Sequence, residues 1–509
     1  MLYTIIYNIN IVMSKYSNNY KLSLYNQIDI NDVKNNIDII NEHIKKNKSE
    51  LFKPTQEDKK KIINIILEYI KENKRKIYGG YAINQLIMNK NIHDRVYSEN
   101  DVPDIDFYSI DPNTDIIKLC NLLVDAGFSR VNGREAKHKY TYSIFVEYDL
   151  YCDITYAPKN IYNNIPYKII DDIYYTHPNF IIIDYLRIIN DPLSYWRLEK
   201  TLNRINLLHK YYSPYIITNN INIGKTDNDI YISQSINMII KYLIDKKDII
   251  TIGFYAYNYF LIESKYYKKN KYITNINIPI LEFISKNYVS DAKYVIDLLK
   301  TEFKDKITYV EHHPFFMYFG YFVEIFLDNE LICVIYDYDK KCLMYQQIND
   351  KLGKINIGTF SLTLLYANIN VFKYKTCNNM DLSDLYNIMA SHLIQFKSYF
   401  LRNTNVSLLD NHPFKDFIAD FIGPDINPEH EILLKYEKRK SNNKPSVFIY
   451  DPYKNKKEEK DSKFFFPNIS GNEIKNIKYR KLENNSEHSD NSDNSDNSDN
   501  SDVEDNSDE

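Results

Sequence analysis

Asp104-Ile105-Asp106-Phe107 sets two carboxylates two residues apart between apolar neighbours. In a strand, residues i and i+2 point the same way, so both acids would project from one face while Ile105 and Phe107 enter the core. Adjacent carboxylates repel unless a cation bridges them, and a hard divalent ion such as Mg²⁺ or Mn²⁺ takes oxygen ligands of this kind. An isolated Asp-x-Asp is also what a solvated edge strand looks like, so the pair needs company. It has some upstream, in "YGGYAINQLI" at 78–87. Glycine is scarce, 11 residues in 509, and a Gly79-Gly80 pair opening a helix exposes backbone N–H groups that a phosphate can approach closely. Most Gly-Gly pairs are plain turns; beside the Asp-x-Asp this one gains meaning. A third carboxylate is offered downstream by Asp149 or Asp153 in "TYSIFVEYDLYCDITY". The two share a face if that stretch is one uninterrupted strand.

The elements that must position these groups are legible. Thr55 with Asp58 reads as a capping box opening a helix that buries Ile62, Ile66, Tyr69 and Ile70. "KIYGG" is a short strand running into a turn, and Ile83, Leu86 and Ile87 mark the next helix. "VPDIDFYSI" alternates as a strand. Asp111-Pro112 starts a third helix with Ile116, Cys120, Leu123 and Val124 on its apolar face and Gly127 as its stop. Helices alternating with strands of a small mixed sheet make an α/β (α+β) fold.

The pattern then repeats. Thr226–Asp229 opens a helix as Thr55–Asp58 does, and "IGFYAYNYFL" aligns on "YGGYAINQLI", sharing Gly-x-Tyr-Ala-x-Asn. "PILEFIS" aligns on "PDIDFYS", and "ICVIYD" stands where "YCDITY" does. Biased composition can counterfeit one such match; four in the same order predict a duplicated domain. In the second copy Asp104 becomes Ile280, Asp106 becomes Glu282, Asp153 becomes Val334 and Gly80 becomes Phe254, whereas scaffold residues persist. Solvated surface acids would not be exchanged for apolar residues in this way. The first copy is therefore expected to be catalytic and the second degenerate. The organisation predicted is an N-terminal arm (1–54), a catalytic domain (55–220), a degenerate domain (221–430), a basic arm (431–481) and a disordered acidic tail (482–509).

The net charge of −4 hides an uneven distribution: the tail holds 11 acidic residues and no Lys or Arg, so the body stands at +7. A basic body suits an anionic partner, with RNA along the basic faces and the aromatic-laced 431–481 arm. No apolar run approaches the roughly 20 residues that a membrane span needs. The opening "MLYTIIYNINIVM" lacks the basic start and small-residue cleavage site of a signal peptide. Five scattered cysteines without a CxxC point to a reducing, intracellular compartment.

A Gly-Gly at a helix start, a following strand with Asp-x-Asp between apolar residues, and a later strand carrying another Asp together resemble the nucleotidyltransferase superfamily of DNA polymerase beta. Within it the chain is most similar to the poly(A) polymerase catalytic subunits of large cytoplasmic DNA viruses, the poxvirus and giant-virus group, as a mimivirus-like member. The motif covers residues 55–160, and the repeat extends the likeness to most of the chain. The resemblance implies template-independent transfer of AMP from ATP to an RNA 3′ end, with Asp104, Asp106 and Asp153 as catalytic metal ligands. It favours Asp153 over Asp149, whose interval from Asp106 suits the viral enzymes less well. Gly79, Gly80 and Tyr81 would meet phosphates. Tyr81 replaces the Ser or Thr of many relatives, which limits it to a backbone contact.

In "DPLSYWRLEKTLNRINLLHKYY", read as one helix, Arg197, Lys200 and Arg204 form a basic face. The resemblance puts Arg197 and Lys200 on the triphosphate, or else they form a solvated face; Trp196 is expected in the core. The segment "NKNIHDRVYSENDV" reads as a surface insertion. The resemblance also implies a homodimer or a separate processivity subunit, and work in the host cytoplasm with packaging in the virion. Uridylyl- and CCA-adding enzymes use the same triad, and a non-catalytic RNA-binding scaffold would keep the same halves.

Overall fold

Thr55 begins the first long helix of the domain. The computed structural model describes residues 24–51, 54–98, 101–136, 140–213, 216–217, 229–425, 428–442, 448–455 and 479–480. In it the Thr55 hydroxyl accepts from the Asp58 amide, and the Asp58 carboxylate accepts from the Thr55 amide. This capping box opens α1 (Gln56–Glu72), which buries Ile62, Ile66, Tyr69 and Ile70. There follow β1 (Lys76–Tyr78), α2 (Gly79–Met88), β2 (Ile105–Ser109), α3 (Pro112–Asp125), β3 (Asn132–Glu135), β4 (Thr141–Val146), β5 (Asp149–Tyr156), β6 (Tyr167–Ile170) and β7 (Ile173–Thr176). The unit closes with α4 (Pro178–Asn190) and α5 (Leu198–Tyr211). The long strand pattern is a hairpin of β4 and β5, turned where Glu147 and Tyr148 take left-handed conformations.

The second unit runs α6 (Asp229–Leu243), β8 (Ile249–Ile252), α7 (Gly253–Ser264), β9 (Leu281–Ser285), α8 (Tyr288–Phe303), β10 (Ile307–His312), β11 (Phe322–Leu327), β12 (Glu330–Asp337), β13 (Leu343–Asn349), β14 (Lys354–Gly358), α9 (Phe360–Thr376), α10 (Met380–Asn403) and β15 (Asp420–Ile422). Thr226, Asp227 and Asn228, read as the start of α6, lie outside the described residues.

The two sheets have one topology. The first is ordered β16-β3-β4-β5-β2-β1-β7-β6, with β16 at Ile449–Tyr450. The second is ordered β17-β10-β11-β12-β9-β8-β14-β13-β15, with β17 at Tyr479–Arg480. From β3 to β6 and from β10 to β13, each strand of one sheet has its counterpart at the same place in the other. The duplication extends to buried polar pairs. Tyr69 of α1 donates to Asp115 of α3 at 2.7 Å, and Tyr242 of α6 donates to Asp291 of α8 at 2.7 Å.

The described parts of the 431–481 stretch are docked on the body. The stretch begins within a helix (Pro428–Ser441) whose Arg439 is bidentate to Glu135 at 2.7 and 3.2 Å. Its strands then pair with β3 of the first sheet and β10 of the second. Free strand edges recruit any available backbone partner, and these two equivalent edges recruit the chain's own C-terminal part. Most of the stretch between the two strands, and the acidic tail, lie outside the described residues. At the other end, helices Gln27–Asn35 and Ile37–Leu51 form the N-terminal arm, and the first of them buries no residue.

The units meet where α4 packs on its counterpart α9. Phe180 and Phe372 cross edge to face at 4.7 Å, and one apolar core runs through both units. At the end of α4 the buried Asn190 carbonyl accepts from Thr359 at 3.2 Å and Ser361 at 3.0 Å. Asn190→Ala leaves those hydroxyls short of an acceptor in a buried place. It is expected to lower stability by about 1–3 kcal/mol, read from the midpoint of denaturant unfolding.

Candidate active site

Ile105 and Phe107 are fully buried, so the alternation of β2 sends Asp106 to the opposite face. β2 and β5 run parallel with Asp106 directly opposite Asp153. Asp104 stands just before β2, and one carboxylate oxygen from each of the three acids lies within 4.8 Å of the others. Ser143, opposite Asp153 on β4, donates to Asp153 Oδ1 at 2.5 Å and orients it. Asp149 sits at the hairpin turn and pairs with Lys59 at 3.3 Å, away from this cluster. The structure thus brings Asp104, Asp106 and Asp153 together and leaves Asp149 apart.

Gly79 follows from the same register. Tyr78 lies opposite Asp106, and Gly79 takes φ +70°. A Cβ there would stand 2.1 Å from Asp106 Oδ2. The first glycine therefore makes room for the carboxylate as much as for a phosphate. At Gly80 a Cβ would meet Tyr97 Oη at 2.1 Å and Arg204 Nη2 at 2.8 Å. Tyr81 is buried in the first core, which leaves its backbone alone to face a ligand. Among the described residues no side chain caps α2, so the amides of its first turn stay open to an anion.

The expected helix of 191–212 is corrected in its first part. Asp191 caps a 3₁₀ turn, Pro192–Arg197, before α5 begins at Leu198. That turn shifts the phase, so Trp196 is 73% exposed instead of in the core. α5 buries Thr201, Arg204 and Leu208. Arg204 is the cation that reaches the site: it donates to Tyr97 at 2.8 Å and Tyr185 at 3.1 Å, beside Gly80. Arg197 is half-buried and Lys200 exposed on the same side of α5.

Tyr97 was not legible from its own neighbours, since it comes from the segment read as a surface insertion. The signal that could have found it is the shared Asn of Gly-x-Tyr-Ala-x-Asn. Asn84 Oδ1 accepts from the Val96 and Tyr97 amides at 2.8 and 3.2 Å, and in the second copy Asn258 Oδ1 accepts from the Ile276 amide at 3.1 Å.

Burial, then the nearby Asp104 and Asp153 charges, push the Asp106 carboxyl well above its usual range, while Arg204 and Arg197 oppose the rise. Asp153 is raised by burial and Asp104 against the pull of Ser143. Lys200, whose end reaches solvent, is pushed down by partial desolvation and by the neighbouring Arg204 and Arg197 charges. Three converging carboxylates whose oxygens crowd one another fit a divalent cation with oxygen ligands, which would relieve the repulsion.

A family model described as poly(A) polymerase catalytic subunit matches residues 64–195. A second, for the C-terminal part of the mimivirus poly(A) polymerase catalytic subunit, matches residues 206–484. A protein of Acanthamoeba polyphaga mimivirus, provisionally named poly(A) polymerase catalytic subunit, is 32% identical over 476 residues, covering 86% of this chain and 81% of its own. The chain belongs to the viral poly(A) polymerase catalytic-subunit family. An African swine fever virus protein of the same provisional name is 28% identical over 158 residues, 30% of this chain and 33% of its own. The crystal structure of the Megavirus polyadenylate synthase superposes with a TM-score of 0.78 at 31% identity, covering 89% of this chain and 92% of that one.

In this poly(A) polymerase family member the second copy serves as an internal control. Register puts Val334 opposite Glu282 as Asp153 is opposite Asp106. Gly253 repeats Gly79, with φ +64° and a would-be Cβ 1.9 Å from Glu282 Oε2. The rest is closed: Ile280, Phe254 and Val334 are buried, and Glu282 accepts from Asn370 at 3.1 Å and Tyr336 at 3.2 Å. The same backbone that presents a carboxylate cluster in one unit buries a lone acid in the other.

Gly79→Ala and Gly253→Ala are each expected to destabilise by at least the roughly 1–2 kcal/mol of a left-handed non-glycine residue. Only the first should also weaken Mn²⁺ binding, measured by calorimetry beside thermal unfolding. Burial raises the Glu282 pKa from 4.5 to about 7. The folded chain then binds this proton more tightly than the unfolded chain, so stability falls as pH rises between those values and stays low above them. Glu282→Gln is expected to be more stable than the parent by roughly 3 kcal/mol at pH 8 and nearly equal to it at pH 4, read by denaturant unfolding.

Proposed function

We propose that the protein is a template-independent polynucleotide adenylyltransferase that adds AMP from ATP to the 3′ end of RNA in the host cytoplasm. The single observation that carries this reading is the convergence of Asp104, Asp106 and Asp153 beside the uncapped start of α2 and the buried Arg204. The RNA 3′ oxygen bonds to the α-phosphorus of ATP, the bond from that phosphorus to the bridging oxygen breaks, and pyrophosphate leaves. Asp104, Asp106 and Asp153 would hold Mg²⁺, which when bound lowers the pKa of the 3′-hydroxyl and neutralises the leaving group. The amides at Gly79 and Gly80, with Arg204, Arg197 and Lys200, bind the triphosphate and fix it relative to the carboxylates. Positioning and charge stabilisation supply most of the acceleration in phosphoryl transfer, so no side-chain nucleophile is needed.

Primer extension with a short RNA, Mg²⁺ and each nucleoside triphosphate separately tests the reading. Long tails are expected from ATP alone. Asp104→Ala and Asp106→Ala should each lower the rate by more than about a hundredfold, as loss of a principal charge-stabilising group does. Asp149→Ala should leave it unchanged. Extension from UTP or CTP instead would make the enzyme a uridylyl- or CCA-adding relative. RNA binding with no extension from any nucleotide would make it a scaffold.

A further inference from the structure

Trp196 is the only tryptophan in 509 residues, and it is 73% exposed. Its neighbour Tyr195 is 71% exposed. A tryptophan of this size ordinarily gains by burial, so two adjacent bare rings invite a ligand. They are held in place, not left on a loose end. Asp191 accepts from the Leu193 amide at 3.1 Å and from Ser194 Oγ at 2.7 Å, and Pro192 fixes the turn between α4 and α5.

The charge beside the rings identifies the ligand chemistry. The Arg197 guanidinium lies 5.5 Å from the Trp196 ring. Arg197 and Lys200 continue along α5 to Arg204 at Gly80. At 1.5 Å per residue, Lys200 and Arg204 are about 6 Å apart along the helix, and Arg197 closes the turn just before it. The rings thus stand at the outer end of a cationic strip whose inner end touches the carboxylate site. Aromatic faces next to a line of cations fit a single nucleic acid strand, bases on the rings and phosphates on the cations. An apolar protein partner or a second copy of the chain would need no such strip, and the base of a lone nucleotide would sit in an enclosed slot, not on open rings.

We propose that Trp196 and Tyr195 form the platform on which bases near the 3′ end of single-stranded RNA stack as it enters the site. The inference rests on the adenylyltransferase reading for its substrate. It is tested by a readout that requires no reaction. Because no other tryptophan exists, the intrinsic tryptophan fluorescence of the full chain reports on this turn alone.

Titration with oligo(A) RNA, with Mg²⁺ and without ATP, is expected to give a saturable change in that fluorescence, larger than any that ATP alone produces through Arg197. Trp196→Ala should raise the KM for RNA primer roughly tenfold and leave the KM for ATP unchanged, with Trp196→Phe in between. RNA that binds, by anisotropy of a labelled oligonucleotide, without moving the fluorescence would overturn the platform. So would a response to ATP but not RNA, or a response to protein dilution alone. A fluorescence response without AMP transfer would sink the proposed reaction and leave the platform standing. AMP transfer with silent fluorescence would do the reverse, and absence of any RNA binding would sink both.

Discussion

Asp106 occupies the space that a Cβ at position 79 would fill, and the site is arranged around that contact. Antiparallel pairing of β1 with β2 brings the start of α2 against the carboxylate, and parallel pairing of β2 with β5 brings Asp153 alongside it. One register therefore fixes both the acids and the helix end that faces them. Shifting β2 by one residue would turn Asp106 into the core and Phe107 out of it. The contact also brings a carboxylate into a partly buried place beside two others, an arrangement that a divalent cation stabilises.

The same contact persists between Gly253 and Glu282, where the cluster of three acids is gone. Its survival shows that the close approach belongs to the architecture and that the cluster of three acids is an addition to it. In the second unit the freed volume is filled with large side chains: Phe254 lies 5.5 Å from Tyr386, and Tyr336 donates to Glu282. Close by, Glu324 is fully engaged by Lys373, Tyr374 and His312. Burial alone would raise its carboxyl, yet Lys373 and His312 hold it well below the usual range. An open cluster of three acids and a closed pocket around one buried acid are two outcomes of one backbone.

The two units are joined by α4 against α9 and by C-terminal strands that extend the same edge of each sheet. Both devices use surfaces that a single such domain would leave bare, an apolar helix face and an unpaired strand edge. After the 3₁₀ turn that follows α4, α5 lays Arg204 against Gly80.

By itself the sequence determined the α/β class, the duplication, the capping of α1, the burial of Ile105 and Phe107, and the type of each acid in the cluster. These follow from local periodicity and from comparing one half of the chain with the other, and neither needs long-range contacts. Tertiary structure decided what depends on which strand pairs with which. It chose Asp153 over Asp149, because the hairpin turn carries Asp149 off towards Lys59. It brought Tyr97 and Arg204 to Gly80, since the two lie far apart in the chain and only the packing of α5 on α2 joins them. It also placed Trp196 outside, because a 3₁₀ turn broke the helical phase that periodicity alone would extend. Patterns that repeat within an element are written locally; a meeting of three elements is a property of the folded chain.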